Sequence, residues 1–178
     1  KEIIESERES HKSSGKFSIS SIGKCKRKIY LTLKGLYKEE FNTKTLRIFE
    51  IGNMFHMQIV KELLEKGENF DIRVVSAEVN IPEHLFISGR ADLMLCNTET
   101  GEMIIVDVKS CSDWVFDKVK NGDLDYISNH IKQLELYLHF FKLKSGFLLF
   151  VSKQKGIIEE VEVKYDKDLC EELIKEIE

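Results

Sequence analysis

Asp107 and Lys109 stand two residues apart at the end of an aliphatic run, IIVDVKS, residues 104–110. Side chains alternate along a strand, so Ile105, Asp107 and Lys109 share one face and Ile104, Val106 and Val108 the other. A charge brought close to a core is costly unless it is paired or binds something. The two residues are therefore either a plain ion pair at a strand end or a catalytic pair that holds a metal ion and meets a phosphate. The preceding segment contains GRADLM, with Gly89, Arg90 and Asp92. Only the short polar stretch NTETG, 97–101, separates the two segments, so Asp92 and Asp107 fall on neighbouring strands of one hairpin, in the pattern D-x14-D-x-K. Two carboxylates held that close repel each other and shift their pKa values unless a divalent cation sits between them. A hard cation such as Mg²⁺ or Mn²⁺ would take both carboxylates, waters and the Val108 carbonyl. Lys109 would then face a scissile phosphate and position the attacking water.

The elements that must position these groups are legible as changes of period. Residues 1–16 are polar, end near Ser-Ser-Gly, and read as a flexible arm ahead of a single domain over 17–178. The stretch 18–36 opens on serines that could cap a helix and places Ile22, Cys25, Ile29 and Leu33 at helical spacing. A second helix is expected over 44–66, with Ile48, Ile51, Phe55, Ile59 and Leu63 as its stripe and Gly67 as its stop. Strands follow at 71–81, 85–96 and 102–110, joined by turns short enough for an antiparallel meander. A helix over 124–143, strands at 146–152 and 156–165, and an Asp-capped amphipathic helix complete one mixed α/β domain.

Bulk properties fit that reading. The 178 residues are 42% hydrophobic and 33% charged, enough for one domain with a real core. No apolar run approaches a membrane span and no signal-peptide pattern opens the chain, so a cytoplasmic location away from membranes is expected. The net charge of −4 is not that of a typical nucleic-acid binder, but its distribution is uneven. Lys24, Lys26, Arg27, Lys28, Lys34 and Lys38 occur with no acidic residue among them. This run is either a solvated helix face or a nucleic-acid-binding patch. Cys25, Cys96, Cys111 and Cys170 show no paired spacing, which points to a reducing compartment.

GRADLM followed by IIVDVKS resembles the core motif of the PD-(D/E)XK nuclease superfamily, and more narrowly its RecB-like branch. Three further segments strengthen the resemblance. IGNMFH, 51–56, is similar to a G-x-x-x-H helix motif whose histidine is a metal ligand, which implies that role for His56. QLELY, 133–137, is similar to a Q-x-x-x-Y motif on the helix after the catalytic strand. Gln133 and Tyr137 share a helix face and would support Lys109 or contact DNA backbone. SISSIGKCKRKIYL resembles the N-terminal segment of CRISPR-associated RecB-type nucleases. Ala91 replaces the proline of the superfamily's name, and Asp107 takes a place often held by glutamate.

The resemblance implies a restriction-endonuclease-like core, a mixed central sheet flanked by helices. It implies a Mg²⁺- or Mn²⁺-dependent deoxyribonuclease, with single-stranded DNA or DNA ends as substrate and an exonuclease as the expected mode. His56, Asp92, Asp107 and the Val108 carbonyl would hold the metal. Lys109 would act on the water, Gln133 and Tyr137 would shape the site, and Lys24, Lys26, Arg27 and Lys28 would lead the strand to it by backbone electrostatics. Relatives that carry an iron–sulfur cluster use one cysteine near the N-terminus and three near the C-terminus. Here only Cys170 follows Tyr165, so no cluster is expected and Cys25 reads as a small buried hydrophobe. Glu78 is an additional candidate ligand or a solvated residue, and Ser110 a support for the lysine or a phosphate contact. Two alternatives remain: a non-catalytic DNA-binding or assembly subunit of a CRISPR-adaptation or recombination complex, working with partner proteins, or a structure-specific endonuclease such as a junction resolvase. The second would normally need a dimer.

Overall fold

The computed structural model describes residues 15–38 and 40–178. The expected arm over 1–16 lies almost wholly outside the described residues. The described chain forms strands β1 (Phe17–Ser18), β2 (Ile72–Asn80), β3 (Ile87–Ser88), β4 (Arg90–Asn97), β5 (Met103–Cys111), β6 (Ser145–Ser152) and β7 (Ile158–Lys164). Its helices are α1 (Lys26–Leu33), α2 (Thr43–Lys66), α3 (Asp113–Lys120), α4 (Ser128–Phe141) and α5 (Lys167–Ile177). Among these helices none is long and apolar enough to cross a membrane.

Five strands make one mixed sheet in the order β2-β4-β5-β6-β7. The expected meander is there: β2, β4 and β5 pair antiparallel. β6 then joins β5 in parallel after the crossover through α3 and α4, and β7 returns antiparallel. One face of the sheet buries Leu93, Leu95, Val106, Val108 and Val151 against Ile59 of α2. The other face presents Ile105 and Leu148 to Leu134, Leu136 and Leu138 of α4, with Phe116, Val119 and Leu173 from α3 and α5. The alternation in IIVDVKS is thus divided between two cores, and Asp107 and Lys109 belong to the α4 side.

Five local expectations give way or fall short. The helix expected over 18–36 is broken at Gly23 (φ +76°), so a 3-10 turn over Ile19–Ser21 precedes a shorter α1. No serine caps α1; Cys25 holds the N-cap position, exposed and without a side-chain cap bond, rather than packing as a hydrophobe. In α2 only the lower part of the expected stripe turns inward, and Ile48 and Ile51 remain 43% and 45% exposed. The segment expected as one strand over 85–96 is two: β3 pairs in parallel with β1, and β4 begins afresh at Arg90. Gly89 sits at the break because a Cβ there would lie 2.7 Å from Ile19 Cδ1 and 3.0 Å from Tyr137 Cε1. Finally, α3 was not foreseen; Ser112 caps it by accepting from Val115 N.

Candidate active site

The β4–β5 ladder ends at Leu93↔Val106. Beyond that pair the side chain of Asp92 takes over from the backbone: its Oδ2 accepts the Val108 N–H at 2.7 Å. A residue's N–H and C=O leave a strand on the same edge. The Val108 carbonyl therefore faces the same opening. His56, in the middle of α2, places Nδ1 3.5 Å from Asp92 Oδ2. Gly52, one turn earlier, lets α2 come close to the end of β5, since a Cβ there would stand 3.3 Å from Ser110 Oγ. The glycine and the histidine of the G-x-x-x-H segment thus have separate jobs, close approach and a ring in the opening.

Asp107 is 1% exposed. Lys109 Nζ lies 2.6 Å from its Oδ2, yet that oxygen has no hydrogen bond of good geometry, so the contact is a charge pair only. Its Oδ1 meets Gln133 Nε2 at 3.5 Å, and Gln133 also lies 3.5 Å from the Tyr137 hydroxyl. Tyr137 donates to the Arg90 carbonyl at 2.9 Å, tying α4 to the first residue of β4. Gln133 and Tyr137 are buried and act on protein groups: Gln133 reaches Asp107, not Lys109.

The charges explain the titration behaviour. Burial first, and the Asp107 carboxylate second, push Asp92 up to about 7. Burial and the Lys109 ammonium hold His56 below the ordinary histidine value, which favours the neutral ring a metal ligand needs. Burial, with the charges of Asp107 and Asp92, pushes the Tyr137 phenol well up, so it stays a donor. Two carboxylates in mutual repulsion, one with an orphaned buried oxygen, a neutral imidazole and a carbonyl make an oxygen-rich donor set suited to a hard divalent cation. Among the described residues no three His, Cys, Asp or Glu side chains form a ready metal cage. Asp92 is turned to Val108 N and His56, and Asp107 to Lys109. The residues fit the ion in kind.

Asp92, Asp107, Lys109, Gln133 and Tyr137 line a cleft of about 860 Å³, while His56 and Val108 line a neighbouring one that Asp92 also borders. Ser18, Ser20, Ser21, Lys24 and Lys28 line the other wall of the first cleft, with Lys16 at the rim. Of the four basic residues singled out from the sequence, Lys24 and Lys28 line this cleft. Lys26 instead pairs with Glu176 of α5 at 3.3 Å, and Arg27 does not line it. Glu78 pairs with Arg90 at 2.5 Å rather than reaching the carboxylates, in a left-handed backbone (φ +55°) inside β2. His130 was missed. Its ring lies 6.0 Å from that of Phe150, and burial and the Lys109 charge lower its pKa. Its only sequence signal is a position three residues before Gln133, on the same helical face. Cys170 is buried and donates to the Glu135 backbone carbonyl at 3.3 Å.

No protein-family model matches the chain, and no curated protein matches it by sequence. Solved structures do match. The crystal structure of SSO0001 superposes with a TM-score of 0.63 at 21% identity, over 99% of this chain and 81% of that one. An alkaline exonuclease, LHK-Exo from Laribacter hongkongensis, gives 0.65 at 14% identity, over 99% and 89%; it is also known in complex with dAMP. A phage-related exonuclease from Haemophilus somnus 129PT gives 0.57 at 17% identity, over 91% and 90%. The fold is one shared with exonucleases. At these identities the likeness speaks for the mixed sheet and its flanking helices, and the chemistry rests on the residues.

Proposed function

We propose that this chain is a divalent-metal-dependent nuclease that hydrolyses DNA phosphodiester bonds, an exonuclease on single strands or ends, of the RecB-like PD-(D/E)XK type. The observation that carries the reading is Asp107: a carboxylate 1% exposed, with an oxygen lacking a hydrogen bond, set beside Lys109 and Asp92 at the floor of a cleft with a lysine-bearing wall. One ammonium and one long amide contact are thin compensation for so buried a charge, and the likeness in fold to exonucleases supports the same direction.

His56, Asp92, Asp107 and the Val108 carbonyl would hold Mg²⁺ or Mn²⁺, which when bound polarises the phosphate and acidifies a water. Gln133 fixes the Asp107 carboxylate, and Tyr137 fixes the end of β4 that carries Asp92. Lys109, freed from Asp107, donates to a non-bridging phosphate oxygen and offsets the charge that grows there in the transition state. Lys24 and Lys28 hold the backbone of the incoming strand by charge.

The test is cleavage of end-labelled single- and double-stranded DNA with Mg²⁺, Mn²⁺ or EDTA, beside Lys109→Ala. Metal-dependent cutting that disappears in the variant, with DNA binding kept, is the expected result. Because Lys109→Ala leaves Asp107 without its partner, Lys109→Gln serves as a second variant that keeps a donor beside the carboxylate and should still fail to cut. An intact protein that binds DNA and cuts nothing with any metal would point instead to a non-catalytic binding module.

A further inference from the structure

Trp114 and Tyr126 take no part in the site described above, and both are conspicuously wet. They are 58% and 52% exposed, although their rings meet edge to face with centroids 5.0 Å apart at 83°. The Lys118 ammonium stands 5.9 Å from the indole and 5.2 Å from the phenol. Aromatic rings of this size supply most of their binding energy when covered, and a cation beside two open rings adds an attraction for an anionic, planar ligand.

Their place in the chain says what that ligand is. Trp114 lies in the first turn of α3, five residues beyond Lys109. Even a fully extended chain of that length spans only about 17 Å, so the indole is never far from the cleft floor. Tyr126 lies in the 3-10 turn Leu124–Ile127 that leads directly into α4. That helix carries His130, Gln133 and Tyr137. Among the nearby acids, Asp123 pairs with Lys118 at 3.2 Å, and Asp113 and Asp117 share Lys155 at 3.7 and 3.5 Å.

We infer that Trp114 and Tyr126 form a stacking platform for an unpaired nucleobase of the strand whose phosphate lies at Lys109, an inference that rests on the nuclease reading. Every base has a π-face, so such a platform is indifferent to sequence. A base pair inside a duplex has no free face to offer, so the platform favours single strands and frayed ends.

Trp114 is the chain's only tryptophan, so its emission reports on the platform directly. The full chain in EDTA is titrated with a short oligothymidylate and with a duplex of equal length. Saturable quenching by the single strand, and little by the duplex, is expected. Anisotropy of a labelled oligothymidylate should show about tenfold weaker binding for Trp114→Ala, near-complete rescue by Trp114→Phe, and a loss of similar size for Tyr126→Ala. Cleavage of the same oligonucleotide with Mn²⁺ is followed in parallel. Metal-dependent cutting with unchanged emission, and Trp114→Ala binding like the parent, overturns the platform and leaves the nuclease standing. Quenching without cutting overturns the nuclease and leaves the platform as a single-strand binding surface. Equal quenching by strand and duplex overturns the platform's preference for unpaired bases.

Discussion

Asp92 shows how the site trades stability for chemistry at the level of one residue. Its pKa rises from 3.8 to about 7, through burial first and the neighbouring Asp107 second. An acid with a raised folded-state value binds more protons folded than unfolded between those two values. Its contribution to stability is therefore fully present below about 4 and is lost as the pH rises toward 7. In EDTA the unfolding midpoint should fall between pH 5 and pH 8, and the fall should be smaller in Asp92→Asn, which carries no charge to repel Asp107. At pH 8 that variant should melt about 2–4 °C higher than the parent, the shift that accompanies roughly 1 kcal/mol in a chain of this size. It should also have lost metal-dependent cutting. Thermal melts followed by circular dichroism at the two pH values, beside cleavage assays, check both halves. An Asp92→Asn variant less stable than its parent at pH 8 would mean that the Val108 N–H needs a charged acceptor more than the site needs relief.

Among the elements, the strands were legible and their breaks were not. IRVVSAEVN reads as a strand by its β-branched residues at a largely exposed sheet edge. MIIVDVKS reads clearly because β5 has a core on both faces, so alternation there separates aliphatic from functional residues. The carboxylates and Lys109 were readable for the same reason, being local to one hairpin. What closes over them was not. LFISGRADLMLC alternates smoothly through Gly89, and only the approach of Ile19 and Tyr137 shows that the chain must divide there. The eight residues of α3 were too short to declare a helical period. Lys16 reaches the cleft through tertiary packing that no spacing announces. The coupling of α4 to β4 is the sharpest test at this scale. Tyr137→Phe removes the donor to the Arg90 carbonyl while keeping the ring that fills the core beside Gly89. It should cost about 1 kcal/mol of stability. Because Arg90 starts the strand that carries Asp92, it should also lower kcat several-fold with KM little changed. Steady-state kinetics on a single-stranded substrate separates this from a purely structural role, which would lower Tm without touching kcat.

For the whole molecule the proposed function poses a problem of charge: a nuclease of net charge −4 would have to approach a polyanion. At physiological ionic strength screening confines each charge to about 8 Å, so the lining of a cleft matters more than the total. The lysines of the 24–38 run do not act together, because α1 turns them in different directions. Lys24 and Lys28 line the cleft. Lys26 lies on the other side, where its ammonium pairs with Glu176 of α5. Salt dependence of binding separates the two groups. Each phosphate contact on a single strand contributes about 0.7 to the slope of log K against log salt. The double variant Lys24→Ala, Lys28→Ala should therefore flatten the slope by about 1.4 and weaken binding in low salt for every sequence alike. Lys26→Ala should leave both slope and affinity unchanged, since it removes an exposed pair far from the strand. Fluorescence anisotropy across a salt series in EDTA gives the slopes without interference from cutting. A slope that flattens as much for Lys26→Ala would put the strand over the α1–α5 face, leading it away from Asp107, and the basic wall would then have to be redrawn along that path.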